Sequence, residues 1–212
     1  MQHLFHLFYE CSGISTDTRT IAPGDLFICL KGDRYDANEF AEHALSAGAS
    51  YVICSDPTRC DETRIYFVED TLQFLQALAR HHRNQFKIPI IGITGSNGKT
   101  IVKEWLNFLL SPDFKIVRSP KSYNSQVGVP LSIFGINENH NLGIFEAGIS
   151  QKGEMEKLQE IIQPNIGIFT HLGNAHDDSF TSISEKVKEK TALFKNCEIV
   201  ILEKNKKVES YI

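Results

Sequence analysis

The run Ile90-Ile91-Gly92-Ile93-Thr94, continuing into Gly95-Ser96-Asn97-Gly98-Lys99-Thr100, constrains this chain more than any other stretch. Ile90 to Thr94 is mostly β-branched and reads as a strand buried in a parallel sheet. It breaks into a glycine-punctuated turn. Beyond Lys99 and Thr100, the residues Val102, Leu106, Leu109 and Leu110 share one helical face. Strand, glycine loop and helix together form a phosphate cradle: glycines let backbone N–H groups converge on the oxygens, and the helix N-terminus adds positive potential. Lys99 would reach the outer phosphates as a point charge, and the Thr100 hydroxyl would ligate Mg²⁺. The general pattern G-x-x-x-x-G-K-[ST] asks for glycine at position 93, where the chain has Ile93, and Gly92 and Gly95 are out of register. An ordinary glycine turn with an exposed lysine is the alternative; the flanking strand and helix favour the cradle.

The chain has 212 residues, enough for one or two domains. A net charge of −4 argues against a dedicated nucleic-acid binder, which carries a basic stripe. No apolar run approaches the roughly 20 residues of a membrane helix, and the start, Met1 to His6, lacks the basic-then-apolar order of a secretory signal. The expected setting is cytoplasmic, without membrane or nucleic-acid partners. Cys11, Cys29, Cys54, Cys60 and Cys197 show no C-x-x-C spacing, so no zinc site is expected. Cys29 and Cys54 read as small core residues; Cys54 and Cys60 flank a turn across which they could pair.

Residues 1–86 read as a small α/β domain. An apolar start leads to a polar turn at Ser15-Thr16-Asp17-Thr18-Arg19, then a strand Leu26–Leu30 and a charged loop Lys31–Asp36. Asn38 is expected to cap a helix burying Phe40, Ala41, Ala44 and Leu45. Strands at 51–54 and 65–68 follow, then a helix capped by Asp70, with His81 and His82 contributing favourable charge near its C-terminus. Pro89 disfavours helix at Ile88, which places the boundary at 86/87. From residue 90 strand and helix alternate: 90–94, 98–110, 115–118, 126–134, 142–147, 153–163, 166–170, 182–195 and 198–203. Such alternation specifies a parallel sheet covered on both faces, with ligands at the carboxyl ends of its strands.

Four polar clusters fall at such ends. Tyr123 to Pro130 is a polar loop entering a helix, readable as a cap turn or as a binding loop holding Asn124. Glu146-Ala147-Gly148 places a carboxylate after an apolar strand, suited to a metal or to polarising water, or else a plain loop glutamate. Thr170 to Asp177 contains His176 after a strand tip and a glycine turn, readable as a ligand; His171 reads as supporting or structural. Lys190 is by pattern one more surface lysine on an amphipathic helix.

The loop Thr94-Gly95-Ser96-Asn97-Gly98-Lys99-Thr100 resembles the T-G-[ST]-x-G-K-T loop of the Mur ligase and folylpolyglutamate synthetase group. Together with Lys103-Glu104, Asn124 to Leu131, Glu146-Ala147-Gly148 with Gly153-Glu154, and Gly173-Asn174-Ala175-His176, the chain resembles the Mur ligase family, most of all its branch that joins D-alanyl-D-alanine to UDP-N-acetylmuramoyl-tripeptide. The resemblance implies an N-terminal UDP-substrate domain at 1–86 and a central P-loop ATPase domain at 87–212 that is incomplete, the third, C-terminal ligase domain being absent. It implies that Gly95, Ser96, Asn97, Gly98, Lys99, Thr100 and Asn124 bind ATP; that Thr100, Glu146, His176 and Lys190 serve Mg²⁺, with Lys190 carbamylated; and that Lys99, His176 and Lys190 act in catalysis. Thr18, Arg19, Lys31 and Asp36 would face the UDP moiety. The implied chemistry is amide formation through an acyl phosphate, with this chain a fragment inactive alone. Two rivals stand beside it: a folylpolyglutamate synthetase-like ligase, and a non-catalytic nucleotide-binding module.

Overall fold

The computed structural model describes residues 1–33, 35–173 and 180–212. The chain divides into two compact units, Met1–Leu78 and Ala79–Ile212.

In the first unit, helix α1 (His6–Glu10) precedes strand β1 (Gly13–Ser15). Strands β2 (Asp25–Ile28), β5 (Tyr51–Cys54) and β6 (Ile65–Phe67) join β1 in a wholly parallel sheet of order β1-β2-β5-β6. Helix α2 (Ala41–Ser46) covers it, burying Ala41 and Ala44 against Phe27, Cys29, Val52 and Cys54. Strand β1 is too short to show alternation and was not legible as a strand. The expected charged loop is an antiparallel ribbon, β3 (Lys31–Gly32) with β4 (Tyr35–Asp36), in which Lys31 faces Asp36. Two further expectations fail here. Asp36, not Asn38, caps the 3-10 turn before α2, by accepting from Asn38 N. Asn38 is itself buried, and its Oδ1 takes the Ser55 N–H at 2.8 Å. Phe40 is exposed and stacks on Tyr35, ring centroids 5.9 Å apart, because the turn rotates it off the buried face. All five cysteines are free thiols.

Helix α3 (Thr71–Arg83) starts in the first unit, where Asp70 accepts from Gln73 N at 2.9 Å. The unit division falls inside this helix, which the sequence reading placed wholly in the N-terminal domain. Its last turns belong to the second unit: Ala79 joins that core and Arg83 Nε donates to Ile162 O at 3.1 Å. His82 does not supply a terminal positive charge. It is buried, its Nε2 lies 3.0 Å from Ile136 O, and burial lowers its pKa, which favours the neutral ring.

The second unit is a five-stranded, all-parallel sheet of order β11-β10-β7-β9-β8. Its strands are β7 (Ile90–Thr94), β8 (Ile116–Arg118), β9 (Leu142–Glu146), β10 (Ile166–Phe169) and β11 (Ile199–Leu202). Helices α4 (Lys99–Leu110), α5 (Gly128–Ile133), α6 (Glu154–Ile162), α7 (Ile183–Thr191) and α8 (Lys206–Glu209) accompany them. The expected alternation is present within a few residues at each end. Adjacent residues of β7 point to opposite faces. Ile90 enters the core with Phe145, Ile133, Leu158 and Leu193. Ile91 and Ile93 meet Val102, Leu106 and Leu110 of α4 on the other face. Leu109, expected inward, is exposed. Because β9 and β10 flank β7 on opposite sides, the order reverses at β7, and the crevice at the strand tips lies beside the loop that follows it. Among the described residues no helix is long and apolar enough to cross a membrane.

Candidate phosphate and metal site

The loop after β7 holds its shape through backbone that only glycine takes easily. Gly95 has φ +139° and Gly98 has φ +84°. A Cβ on Gly95 would stand 2.1 Å from Thr170 Oγ1, so the loop lies hard against the tip of β10. That approach is stitched by hydrogen bonds: Ser96 N donates to His171 O at 2.7 Å, Thr170 Oγ1 to Asn97 O at 2.6 Å, and Ser96 Oγ to Gly173 O at 2.9 Å. Gly98 is the N-cap residue of α4, which aims the helix N-terminus into the loop. Lys99 folds back over its own cradle, its Nζ donating to Gly95 O at 2.9 Å. Burial lowers the Lys99 pKa, opposed by the Glu146 carboxylate.

Strand β9 delivers Glu146, fully buried, to the same place. The Thr100 hydroxyl donates to it at 3.0 and 3.2 Å. Asn124 Nδ2 reaches Glu146 Oε2 at 3.5 Å, and Ser122 Oγ lies 3.1 Å from Thr100 Oγ1. This donor set, one carboxylate and two hydroxyls at the mouth of a phosphate cradle, consists of hard oxygens and fits Mg²⁺. In the polar loop, Ser125 Oγ accepts from Gly128 N at 3.1 Å at the start of α5, and Asn124 faces the carboxylate.

Lys190 is no surface lysine. It is 1% exposed, and its Nζ donates to Gly95 O at 3.4 Å. Burial, then the charges of Lys99 and Lys186, lower its pKa to about 8. A cavity of about 340 Å³ has Lys99, Asn124, Gly148, Glu154 and Lys190 on its walls. The structure thus gathers Lys99, Thr100, Asn124, Glu146 and Lys190. His176 lies outside the described residues.

Three participants were missed as site residues: Lys103, Lys186 and Ser122. Lys103 is fully buried, bonding Glu146 Oε1 at 3.1 Å; Lys186 is buried, bonding Gly173 O at 2.5 Å. The available signals were Lys103 beside the apolar Val102 and Leu106, and Lys186 with Lys190 at helical i, i+4 spacing.

In the first unit, Arg19 and Lys31 each pair with a carboxylate, Asp17 and Asp36, and Thr18 begins the turn that carries Arg19. Asp17 caps the turn Thr18–Thr20 and holds the Arg19 guanidinium, with Nη2 to Oδ2 at 2.5 Å. Lys31 pairs with Asp36 at 3.0 Å. The Tyr35 phenol pKa is raised by burial and then by the Asp17 carboxylate.

Comparison with known proteins adds independent findings. Residues 93–211 match the family model described as the Mur ligase middle domain, and residues 10–83 match that of the Mur ligase family, catalytic domain. A UDP-N-acetylmuramoyl-tripeptide–D-alanyl-D-alanine ligase of Synechocystis is 39% identical over 167 residues, covering 78% of this chain and 37% of that protein. The crystal structure of MurF from Acinetobacter baumannii superposes with TM-score 0.87 at 25% identity, over 99% of this chain and 51% of that one. MurF ligase from Thermotoga maritima in complex with ADP gives TM-score 0.84 at 28% identity, over 94% and 48%. The chain spans 36% to 44% of the length of the curated relatives it matches.

Proposed function

We propose, on the premise that this chain belongs to the Mur ligase family, that it forms the UDP-substrate and ATP-binding parts of a cytoplasmic UDP-N-acetylmuramoyl-tripeptide–D-alanyl-D-alanine ligase of peptidoglycan synthesis. The observation that carries this is the convergence of Thr100, Glu146, Lys99 and Lys190 on the tips of β7 and β9. The relatives' activity supplies the substrates: a tripeptide carboxylate, D-alanyl-D-alanine and ATP.

In this reading the 95–100 loop and α4 N-terminus hold the ATP phosphates, and Lys99 leaves Gly95 O to reach them. Thr100 and Glu146 would hold Mg²⁺, which would supply charge neutralisation on the transferring phosphoryl group. Lys99 adds a second positive charge aimed at the same oxygens, so catalysis rests on positioning and electrostatics. The tripeptide carboxylate attacks the γ-phosphorus to give an acyl phosphate and ADP. The dipeptide amine then attacks the acyl carbon, and phosphate leaves. The cavity shared by Lys99, Asn124 and Lys190 is where that carboxylate would be aligned.

Lys190 fits the carbamylation the resemblance implies. Capture of CO₂ needs the neutral amine, and a pKa of about 8 leaves about a tenth of the amine neutral at pH 7. The carbamate would turn an unfavourable third cation beside Lys99 and Lys186 into an anion able to serve a metal. His176 would complete the metal site. Arg19, Lys31 and Asp36, with Thr18, would face the UDP moiety. The match at residues 10–83 favours this reading over a folylpolyglutamate ligase.

Isothermal titration of the chain with Mg·ATP and, separately, with UDP-N-acetylmuramoyl-tripeptide tests the proposal. Saturable one-to-one binding of both is expected. Binding of neither, or of a folate in place of the UDP compound, would overturn it.

A further inference from the structure

We propose that Lys103 is a positioning residue, a buried clamp that presets the 119–124 loop and one oxygen of Glu146 for the metal. This rests on reading the site as one for Mg·ATP. The Lys103 ammonium has three N–H donors, and each has an oxygen: Ser119 O at 2.7 Å, Lys121 O, and Glu146 Oε1 at 3.1 Å. Glu104 Oε1 stands 3.3 Å away on the solvent side. Burying an ammonium is costly, and apolar side chains fill space under a helix without that cost, as Val102, Leu106 and Leu110 do on the same α4. The charge at position 103 is therefore explained by what it holds.

What it holds is the loop that supplies two groups of the site. Lys121 is one of the described non-glycine residues with positive φ, at +48°, and its carbonyl, like that of Ser119, is turned onto the ammonium. The next residue, Ser122, reaches Thr100; Asn124 reaches Glu146 Oε2. Ser119 Oγ also accepts the Glu146 N–H at 3.3 Å, so the loop base and the β9 tip are tied twice. Lys103 Nζ bonds Oε1, which Thr100 also reaches at 3.2 Å, while Oε2 is held by Thr100 at 3.0 Å and Asn124 at 3.5 Å, so the carboxylate is fixed through both oxygens.

The test compares the wild-type chain with Lys103→Met and Lys121→Gly in two measurements. The first is amide hydrogen exchange, peptide by peptide. Lys103→Met is expected to speed exchange in residues 119–124 at least tenfold more than it speeds exchange in the β7 and β9 peptides. The second is titration with ATP in the presence of Mg²⁺ and in the presence of EDTA. Lys103→Met is expected to lose at least tenfold of the Mg²⁺-dependent gain in affinity and to keep metal-free binding within about twofold. Lys121→Gly, which leaves the clamp in place but loosens the residue it grips, is expected to give both effects in smaller measure. Unchanged 119–124 exchange in Lys103→Met overturns the clamp. Equal loss of metal-free and Mg²⁺-dependent binding, with protection lost throughout the second unit, overturns it in favour of a general packing role. A wild-type chain that binds no nucleotide refutes the reading of the site, while the exchange result still decides the clamp.

Discussion

Thr100 Oγ1 stands 3.0 Å from Glu146 Oε2, joining the first turn of α4 to the last residue of β9. A hydroxyl and a carboxylate brought together from distant parts of the chain make a binding geometry. Glu146→Gln keeps the shape and can still accept from Thr100, but it removes the charge a divalent cation needs and leaves the buried Lys103 ammonium with only the half-exposed Glu104 as a neighbouring carboxylate. We expect the Mg²⁺-dependent part of ATP affinity to fall at least tenfold by titration calorimetry. Urea unfolding should show a loss of about 3 kcal/mol, the scale of a broken buried ion pair.

Gly95 and Gly153 both have positive φ, yet their surroundings differ. At Gly95 an added Cβ meets Thr170 Oγ1 at 2.1 Å; at Gly153 nothing lies within 4 Å. Gly153→Ala should cost only the backbone preference, about 1 kcal/mol. Gly95→Ala should cost more, roughly 2–3 kcal/mol, and should weaken ATP binding with or without Mg²⁺, because the whole cradle must shift. Parallel urea titrations of the two variants check the ranking.

Lys190 gives a pH signature. Its folded pKa of about 8 lies below the ordinary 10.5, so between those values the unfolded chain binds the extra proton. Stability therefore rises with pH across that window, and the destabilisation is fully present below pH 8. A shift of this size corresponds to roughly 3 kcal/mol. Lys190→Met should be more stable than wild type at pH 7, and the difference should shrink between pH 8 and 10.5. Urea midpoints measured across that range decide it. Bicarbonate should stabilise the wild type and leave the variant unmoved.

Arg19 and Lys31 are exposed and paired with exposed or half-exposed carboxylates. Such pairs add about 0–1 kcal/mol, so Arg19→Ala and Lys31→Ala should unfold within about that margin of wild type. If these cations face a UDP moiety, each variant should bind UDP-N-acetylmuramoyl-tripeptide at least fivefold more weakly by calorimetry. Unchanged affinity would remove them from the site.

Much of the second unit was legible because isoleucine-rich strands and glycine turns announce a parallel sheet locally. The run Ile90–Thr94 is a strand with the bounds expected of it, and the cradle follows at once. Lys190 shows where legibility stops. A lysine on a helix looks solvated in any one-dimensional reading, and only three-dimensional packing turns Lys103, Lys186 and Lys190 inward. The same limit hid the buried His82 and the central role of Asn38, whose Oδ1 takes the Ser55 N–H just past a later strand. Short elements failed for another reason: β1, β3 and β4 have two or three residues each, too few to display a period.

The placement of β7 at the middle of its sheet sets the timetable of biosynthesis. Ile90 pairs with no earlier strand; its neighbours begin at Gly143 on one side, and Ile91 waits for Ile166 on the other. As the ribosome extends the chain, the glycine loop emerges long before the strands that seat it, and it meets Thr170 later still. Pairings between such distant segments close slowly. The first unit, whose strands all lie within Gly13–Phe67, has every partner it needs while the second is still being made.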